Sequence, residues 1–96
     1  MDMVVYKYLL KDGITVQDIE MPRGAEILHA GNQFEHICLW AVVDPSEKNE
    51  KRRIGVIATG QHFDDAGAEY LGTVHLQGDS LIFHVFEQTM FQTGKP

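Results

Sequence analysis

The sequence lacks the residues that would cross-link the chain or anchor it in a membrane. Cys38 is the single cysteine among 96 residues, so no disulfide can form within the chain. Its place in an apolar run predicts a buried side chain, not a reactive thiol. No apolar run approaches the roughly 20 residues that a membrane-spanning helix needs. The first residues also lack the basic start and apolar stretch of a signal peptide. We therefore expect a cytoplasmic protein with no membrane partner.

Positive charge is scarce as well. Eight lysines and arginines stand against 14 aspartates and glutamates, which gives a formal net charge of −6. A protein that holds duplex nucleic acid by its phosphates needs a basic face, so we expect no such partner. The one basic segment, residues 47–53, mixes four cationic side chains with two carboxylates. Such a mixture is typical of a solvated hairpin loop, and the alternative is a docking site for an anionic ligand or an acidic partner.

The motifs of common enzyme classes are missing too. The sequence contains no Gly-x-Ser-x-Gly elbow, no phosphate-binding glycine loop and no dinucleotide fingerprint. Ser46 and Ser80 lie in turn-like segments, where hydroxyl groups commonly cap the backbone. We therefore expect no catalytic residue and no cofactor, which favours a binding protein over an enzyme.

What the sequence does contain is a succession of short apolar and β-branched runs. They alternate with Gly, Asp, Asn and Pro, a pattern typical of strands joined by turns. The pattern predicts one all-β domain over residues 1–96, a small β-sandwich or partly open barrel of about seven strands. Residues 88–96 are expected to fray or to dock on a neighbour. The predicted strands are 3–10, 14–21, 25–30, 36–43, 53–58, 70–76 and 81–87.

Turn residues indicate how the first strands connect. Asp12-Gly13 is a strong signal for a hairpin between the first two strands. The Pro-Arg-Gly segment at 22–24 predicts the next turn, because Pro presets φ and Gly tolerates positive φ. The apolar phase of the second strand changes between Val16 and Ile19. This change indicates a β-bulge or a switch of the buried face.

One loop carries candidate metal ligands. Residues 60–68 break the strand rhythm, and we predict a loop there with one short helical turn near 62–69. His62, Asp64 and Asp65 lie close together in this loop. An imidazole and two carboxylates could bind a divalent metal, or act as a base and its orienting group. Their spacing is not a metal-binding signature, so a solvated capping loop is the simpler interpretation and a small metal-dependent hydrolase is the alternative.

The predicted fourth strand is apolar on both of its faces, as expected for a central strand that is covered on both sides. Cys38, Trp40 and Val42 share one of these faces. Aromatic residues at alternating strand positions usually pack in a core. We therefore predict that Trp40 packs in the core and does not serve as a stacking platform for a ligand.

Several blocks resemble, in the same order, a family of small uncharacterised proteins from bacteriophage and prophage genomes. They include Tyr6-Lys-Tyr8, and the more specific of them are Cys38-Leu-Trp-Ala41 and Phe83-His-Val-Phe-Glu87. The resemblance covers nearly the whole chain but implies no activity and no site residue. It implies a setting, since small phage accessory proteins without catalytic motifs often act by binding a host component.

This setting favours a protein that blocks a host defence factor or sequesters a small anionic ligand such as a nucleotide. Guanidinium groups pair well with phosphates. The candidate ligand-binding residues are therefore Arg23, Arg52 and Arg53, together with His62. A homo-oligomer could collect the three arginines at an interface pocket, and exposed strand edges predict such self-association. A minor virion component, assembled through the same edges, is a further alternative.

Overall fold

Seven strands account for the regular structure of residues 2–89, the part of the chain that the computed structural model describes. They form two antiparallel sheets: sheet A has the order β1-β4-β3, and sheet B has the order β2-β5-β7-β6. The all-β prediction is confirmed, and the two sheets do not close into a barrel within these residues. The strands are β1 (Val4–Leu9), β2 (Thr15–Pro22), β3 (Glu26–Gln33), β4 (His36–Val43), β5 (Asn49–Ala58), β6 (Ala68–Leu76) and β7 (Leu81–Gln88).

The inner faces of the two sheets form a shared apolar core. Sheet A and the residue after β1 contribute Leu10, Ala30, Ile37 and Leu39, while sheet B contributes Ile54, Val56, Val74, Phe83 and Val85. A second buried cluster contains Met21, Ala25, Ala41 and Val43. Because successive side chains of a strand point to opposite faces, each sheet also presents an outer face.

The prediction for the tail concerns mainly residues 90–96, which lie outside the described residues.

The Asp12-Gly13 turn joins the two sheets and does not close a hairpin. β1 pairs with β4 and β2 pairs with β5, so the predicted hairpin is wrong. The turn itself forms as its residues predict, because Gly13 has a φ of 85°. Turn residues set only the local backbone conformation, however, and not the partner of each flanking strand. The partner strand is chosen by burial: Leu10, next to the turn, is buried in the core and donates its N–H to the Ile37 carbonyl at 3.0 Å.

Most of the basic segment, residues 49–53, forms the first half of β5 and is not a loop. Asn49 pairs with Pro22, and the ladder with β2 continues without a break to Val56. Strand alternation places Arg52 on the inner face of sheet B and Arg53 on the outer face. The prediction of a solvated hairpin loop is wrong because each guanidinium has a carboxylate partner on a neighbouring strand.

The loop at 59–67 contains turns but no helical turn. The Asp64 carboxylate accepts a hydrogen bond from the Ala66 N–H at 3.0 Å, and the Ala68 N–H donates to the Asp65 carbonyl at 3.0 Å. Aspartate competes with helical hydrogen bonding in this way, so the helical turn predicted near 62–69 is wrong. No helix within residues 2–89 is long and apolar enough to cross a membrane.

Trp40 lies on the outer face of sheet A. β4 is the central strand of this sheet, as predicted, and its inner face belongs to the buried clusters. Cys38 and Val42 share the outer face with Trp40, and Cys38 is buried there while Trp40 is only half-buried. The prediction that Trp40 packs in the core is wrong, because sheet B covers only one face of sheet A.

Glu35 connects two hairpin turns, one from each sheet. It lies in the tight β3–β4 turn with a φ of 67°, and its carboxylate accepts hydrogen bonds from the Gln77 N–H at 2.7 Å and from the Asn32 side-chain amide at 3.2 Å. The same amide donates to the His75 carbonyl at 2.8 Å. The hydrogen bonds from Gln77, first, and Asn32 hold the pKa of Glu35 below its usual value.

Candidate functional site

A hollow lies on the outer face of sheet B, above Gly55 in β5. The ladder partners of Gly55 are Val16 on β2 and Phe86 on β7, and both side chains flank it on the same face. Because glycine has no side chain, the position between these neighbours is unfilled. We call this hollow the Gly55 pocket. It has a volume of about 290 Å³, and its lining also includes Ile14, Ile57, Gln61, Phe63 and Gln88.

The 59–67 loop supplies one wall of the Gly55 pocket. Phe63 from this loop packs on Phe86, with ring centroids 4.9 Å apart and an interplanar angle of 37°. At the start of the loop, the Thr59 hydroxyl lies 2.7 Å from His84 Nε2 on β7. This hydrogen bond and the ring contact hold the loop against sheet B, so the aromatic wall is part of the folded scaffold.

Ile14 and Val16 form the opposite wall. They are 57% and 65% exposed, whereas Met21, further along β2, is fully buried in the core. β2 pairs with β5 without a register shift, so the change of apolar phase within β2 is not a bulge. It reflects apolar residues on both faces of the strand. Two exposed apolar side chains beside a hollow offer a surface suited to binding another apolar group.

Unlike the other described glycines, Gly55 occupies a position where neither the backbone conformation nor the neighbouring atoms require glycine. Gly13, Gly24, Gly60, Gly67 and Gly78 have φ values between 62° and 90°, in the left-handed region. A Cβ at Gly72 would lie 2.5 Å from the Ala30 carbonyl oxygen, and one at Gly31 would crowd the His29 ring. A Cβ at Gly55 would meet only Gln88 Nε2, at an ordinary 3.6 Å. The fold therefore does not explain this glycine.

The chemistry of the Gly55 pocket is neutral and mostly apolar. Its lining within the described residues includes no charged side chain. Gln88 Nε2 lies close to the floor, near the position that a Cβ at Gly55 would take. Gln61 is oriented by its side-chain oxygen, which accepts the Ala58 N–H at 3.0 Å. An apolar group with one hydrogen-bond acceptor suits this arrangement, while a phosphate or carboxylate would find no cation in the lining.

Arg52, one of the predicted anion-binding residues, is committed to a partner within the protein. Two of its guanidinium nitrogens donate to the two carboxylate oxygens of Glu87, the second bond (Nη2 to Oε1) at 3.0 Å. Its third nitrogen donates to the Ala25 carbonyl at 2.9 Å. The hydrogen bond with Glu87 raises the pKa of Arg52. With 17% and 10% of their side chains exposed, Arg52 and Glu87 form a largely buried ion pair.

Arg53 and Arg23 lie elsewhere. Arg53 donates from Nε to the Asp18 carboxylate at 3.0 Å on the outer face of sheet B, and this bond holds the pKa of Asp18 below its usual value. Arg23 lies in the β2–β3 turn, with its guanidinium 3.6 Å from the Glu47 carboxylate. The structure of one chain does not bring the three arginines together.

His62, Asp64 and Asp65 are exposed in the 59–67 loop. Within residues 2–89, no group of three or more His, Cys, Asp or Glu side chains is placed to hold a metal ion. The Asp64 carboxylate is engaged in the turn with Ala66. The loop therefore gives the metal-dependent alternative no geometric support within the described chain.

The candidate residues chosen from the sequence include none that line the Gly55 pocket. Two sequence signals point to it nonetheless. One is the apolar phase change in β2, which places Ile14 and Val16 outward. The other is a glycine inside a predicted strand, a feature that often marks a close approach by a ligand or another backbone. The loop that brings Phe63 over sheet B carries no comparable signal in the sequence, because its path depends on contacts with β7 that form only in the folded chain.

Comparison with known families gives one match. The family described as "Domain of unknown function (DUF7352)" matches residues 1–95. No curated protein and no solved structure matches the chain. The match confirms the coarse expectation of an uncharacterised family that covers nearly the whole chain, while the bacteriophage or prophage setting stays a prediction.

Proposed function

The chain belongs to the DUF7352 family, and we propose that it is a binding protein without catalytic activity that takes an apolar side chain of a partner protein into the Gly55 pocket. The observation that carries this proposal is Gly55. A glycine inside a strand costs roughly 0.5–1 kcal/mol relative to alanine, and neither its φ nor its neighbours require it. The unfilled space above Gly55 is the benefit that the structure shows for a glycine at this position.

The size of the pocket suits a single side chain. Its volume of about 290 Å³ is at the small end of ligand sites, which commonly measure about 300–1,000 Å³. Protein interfaces often centre on one aromatic or branched side chain that fills a pocket of this kind. Burying such a side chain contributes roughly 1.5–3 kcal/mol. The exposed Ile14 and Val16 would add apolar contacts around it.

A protein partner is better supported than a small anionic ligand. The pocket lining carries no cation, and Arg52 is already held by Glu87 on the opposite face of the sheet. A nucleotide phosphate placed in the Gly55 pocket would lose its hydration without gaining a charged partner. The sequence suggests two kinds of ligand, a partner protein and a small anion. The neutral apolar pocket favours a partner protein.

The finer proposal is a phage-type accessory protein that acts in the host cytoplasm and occupies a host defence protein. It is supported by the resemblance of the sequence blocks to phage and prophage proteins and by the absence of catalytic motifs from the sequence. The metal-dependent hydrolase based on His62, Asp64 and Asp65 has less support, because no metal-binding group of side chains forms within residues 2–89.

The proposal can be tested with small probes by two-dimensional NMR. p-Cresol imitates the side chain of Tyr and has a hydroxyl oxygen that can accept a hydrogen bond, indole imitates that of Trp and only donates one, and AMP serves as the anionic probe. We expect indole or p-cresol to shift the amide signals of Val16, Gly55 and Phe86, and we expect Gly55→Val to abolish the shifts by filling the hollow. Leu28→Ala, at an exposed apolar residue of sheet A, is the control that should leave them unchanged.

Two results would contradict the proposal. Equal responses of the wild type and Gly55→Val to indole or p-cresol, including no response in either, would show that the hollow holds no aromatic group. Saturable binding of AMP centred on Arg23 or Arg53 would instead support the sequestration of an anionic ligand.

A further inference from the structure

β1 is an edge strand of sheet A, and we infer that it pairs antiparallel with β1 of a second copy of the chain. Such pairing would join two three-stranded sheets into one continuous six-stranded sheet. The inference is independent of the Gly55 pocket, which lies on sheet B. It rests on the unpaired backbone of β1, on the protection of the other three sheet edges and on the apolar side chains that β1 exposes.

The backbone of β1 offers a row of free hydrogen-bonding groups. Leu10, just after the strand, donates its N–H toward β4, to the Ile37 carbonyl at 3.0 Å. Because the direction alternates along a strand, Val5, Lys7 and Leu9 direct their N–H and C=O groups away from β4. No strand of the described residues lies on that side. An edge of this kind is a template for pairing with another strand.

The other three edges carry features that oppose such pairing. β3 and β6 each contain a register shift, and shifts of this type twist an edge away from a partner. β2 presents the exposed carboxylate of Glu20 and ends at Pro22, which has no N–H to donate. β1 pairs with β4 in unbroken register over its full length and contains neither proline nor bulge. The contrast singles out β1.

The one charged residue of β1 does not protect its edge. Lysine on an edge strand usually discourages pairing. Here Lys7 reaches in the opposite direction, across β4, and donates from Nζ to the Gln33 side-chain oxygen on β3 at 2.6 Å. This bond holds the ammonium over the outer face of sheet A, away from the free side of β1.

The exposed apolar area of β1 and the residue before it is large enough for a modest dimer. Met3, Val4, Val5, Tyr6 and Leu9 are between 39% and 61% exposed. These side chains expose on the order of 400 Å² per copy, so a two-fold contact would bury at most on the order of 800 Å² of side-chain area before backbone area is added, below the roughly 1,000 Å² of a specific interface. We therefore expect a dimer that dissociates on dilution.

Charge excludes one register of the pairing. A contact centred on Lys7 would place two ammonium groups opposite each other, which is destabilising. A contact centred on Tyr6 places each Lys7 opposite Val5 of the other copy. It also brings the two Tyr6 rings together as a cross-strand aromatic pair, and the outward groups of Val5 and Lys7 then form the hydrogen bonds.

The test is sedimentation velocity of the full chain over a range of concentrations. We expect a dimer that weakens at least about tenfold in Val5→Pro, which removes one outward N–H, and in Val5→Lys, which adds charge at the edge. Leu28→Lys is the matched control, because Leu28 on β3 is 52% exposed and Val5 is 53% exposed. Circular dichroism checks that each variant is folded. If Val5→Pro does not fold, the dimerisation of Val5→Lys tests the inference by itself.

Each other outcome overturns the inference. A wild type that stays monomeric at every concentration would show that the β1 edge does not pair. A dimer that survives a folded Val5 variant would place the interface elsewhere. A dimer that Leu28→Lys weakens as much as Val5→Lys would point to packing between the outer faces of sheet A. Gly55→Val should leave the dimer intact, which separates this inference from the proposed function.

Discussion

Replacing Gly55 with alanine should make the protein more stable and impair its binding. A Cβ at this position meets only Gln88 Nε2, at 3.6 Å, and the backbone is not in the left-handed region. The added methyl group therefore fits the folded chain without strain. It also reduces the conformational freedom of the unfolded chain, which stabilises the folded state.

The expected gain in the free energy of unfolding is about 0.5–1 kcal/mol, the usual difference between glycine and alanine inside a strand. For a domain of this size, such a gain corresponds to a rise in Tm of roughly 2–8 °C. Urea denaturation followed by circular dichroism measures the free energy directly, and the slope against urea concentration should be unchanged. Gly55→Val should show the same direction and also close the Gly55 pocket.

Gly72→Ala is the matched control, on β6 of the same sheet. A Cβ there would lie 2.5 Å from the Ala30 carbonyl oxygen, so the backbones of β3 and β6 must shift apart, at a cost of about 1–3 kcal/mol. If Gly55→Ala proves destabilising like Gly72→Ala, the fold itself requires Gly55. The reasoning from Gly55 to a binding site would then be refuted.

Three further predictions concern charged and ionisable side chains. Glu87→Ala leaves the largely buried Arg52 with Glu50, at 3.6 Å, as its remaining carboxylate partner and should lower the free energy of unfolding by up to about 3–5 kcal/mol. Adding Arg52→Met should recover part of the loss, and urea denaturation of the single and double variants measures the coupling. Because the pKa of Glu35 is lowered in the folded protein, its charged carboxylate stabilises the folded state above pH 4.5, the usual pKa of a glutamate. This stabilisation is lost as the pH falls through the folded-state pKa. Glu35→Gln should therefore lower Tm near neutral pH, and its difference from the wild type should shrink in acid, in contrast to the pH-independent difference that a purely steric role would give. Zn²⁺ should leave the melting temperatures of the wild type and His62→Ala equally unchanged, and a rise that depends on His62 would restore the metal-dependent alternative.

The positions of the strands follow closely from the local sequence. The predicted fourth strand, 36–43, coincides with β4, and the last two predicted strands differ from β6 and β7 by two residues or fewer. β3 and β5 are the exceptions. β3 continues three residues past its predicted end, and β5 begins four residues before its predicted start, because its first residues are charged and pattern alone assigns them to a loop. Their carboxylate partners, such as Glu87 for Arg52, come from distant parts of the chain, and local periodicity does not record such pairing.

The candidate site depends on contacts between distant segments. The sequence supplies a glycine inside a strand and an outward apolar pair, Ile14 and Val16, at the start of β2, but it does not show that Val16 and Phe86 flank Gly55. That arrangement needs β5 to lie between β2 and β7. The loop must also fold back so that Phe63 meets Phe86. The same limit applies to the three candidate arginines: within one chain, strand alternation places Arg52 and Arg53 on opposite faces of sheet B.

The sequence by itself determined the all-β class, the approximate strands and most of the turn positions, because alternation, β-branched residues and turn residues act over a few neighbouring positions. The tertiary structure alone decided which strands pair, which face of each sheet is covered and which edge is left open. Backbone hydrogen bonds are nearly the same for any pair of strands, so the ladder does not select its partner. That selection comes from burying the inner faces of sheets A and B against each other, and this burial leaves Trp40, the Gly55 pocket and the edge of β1 on the outside.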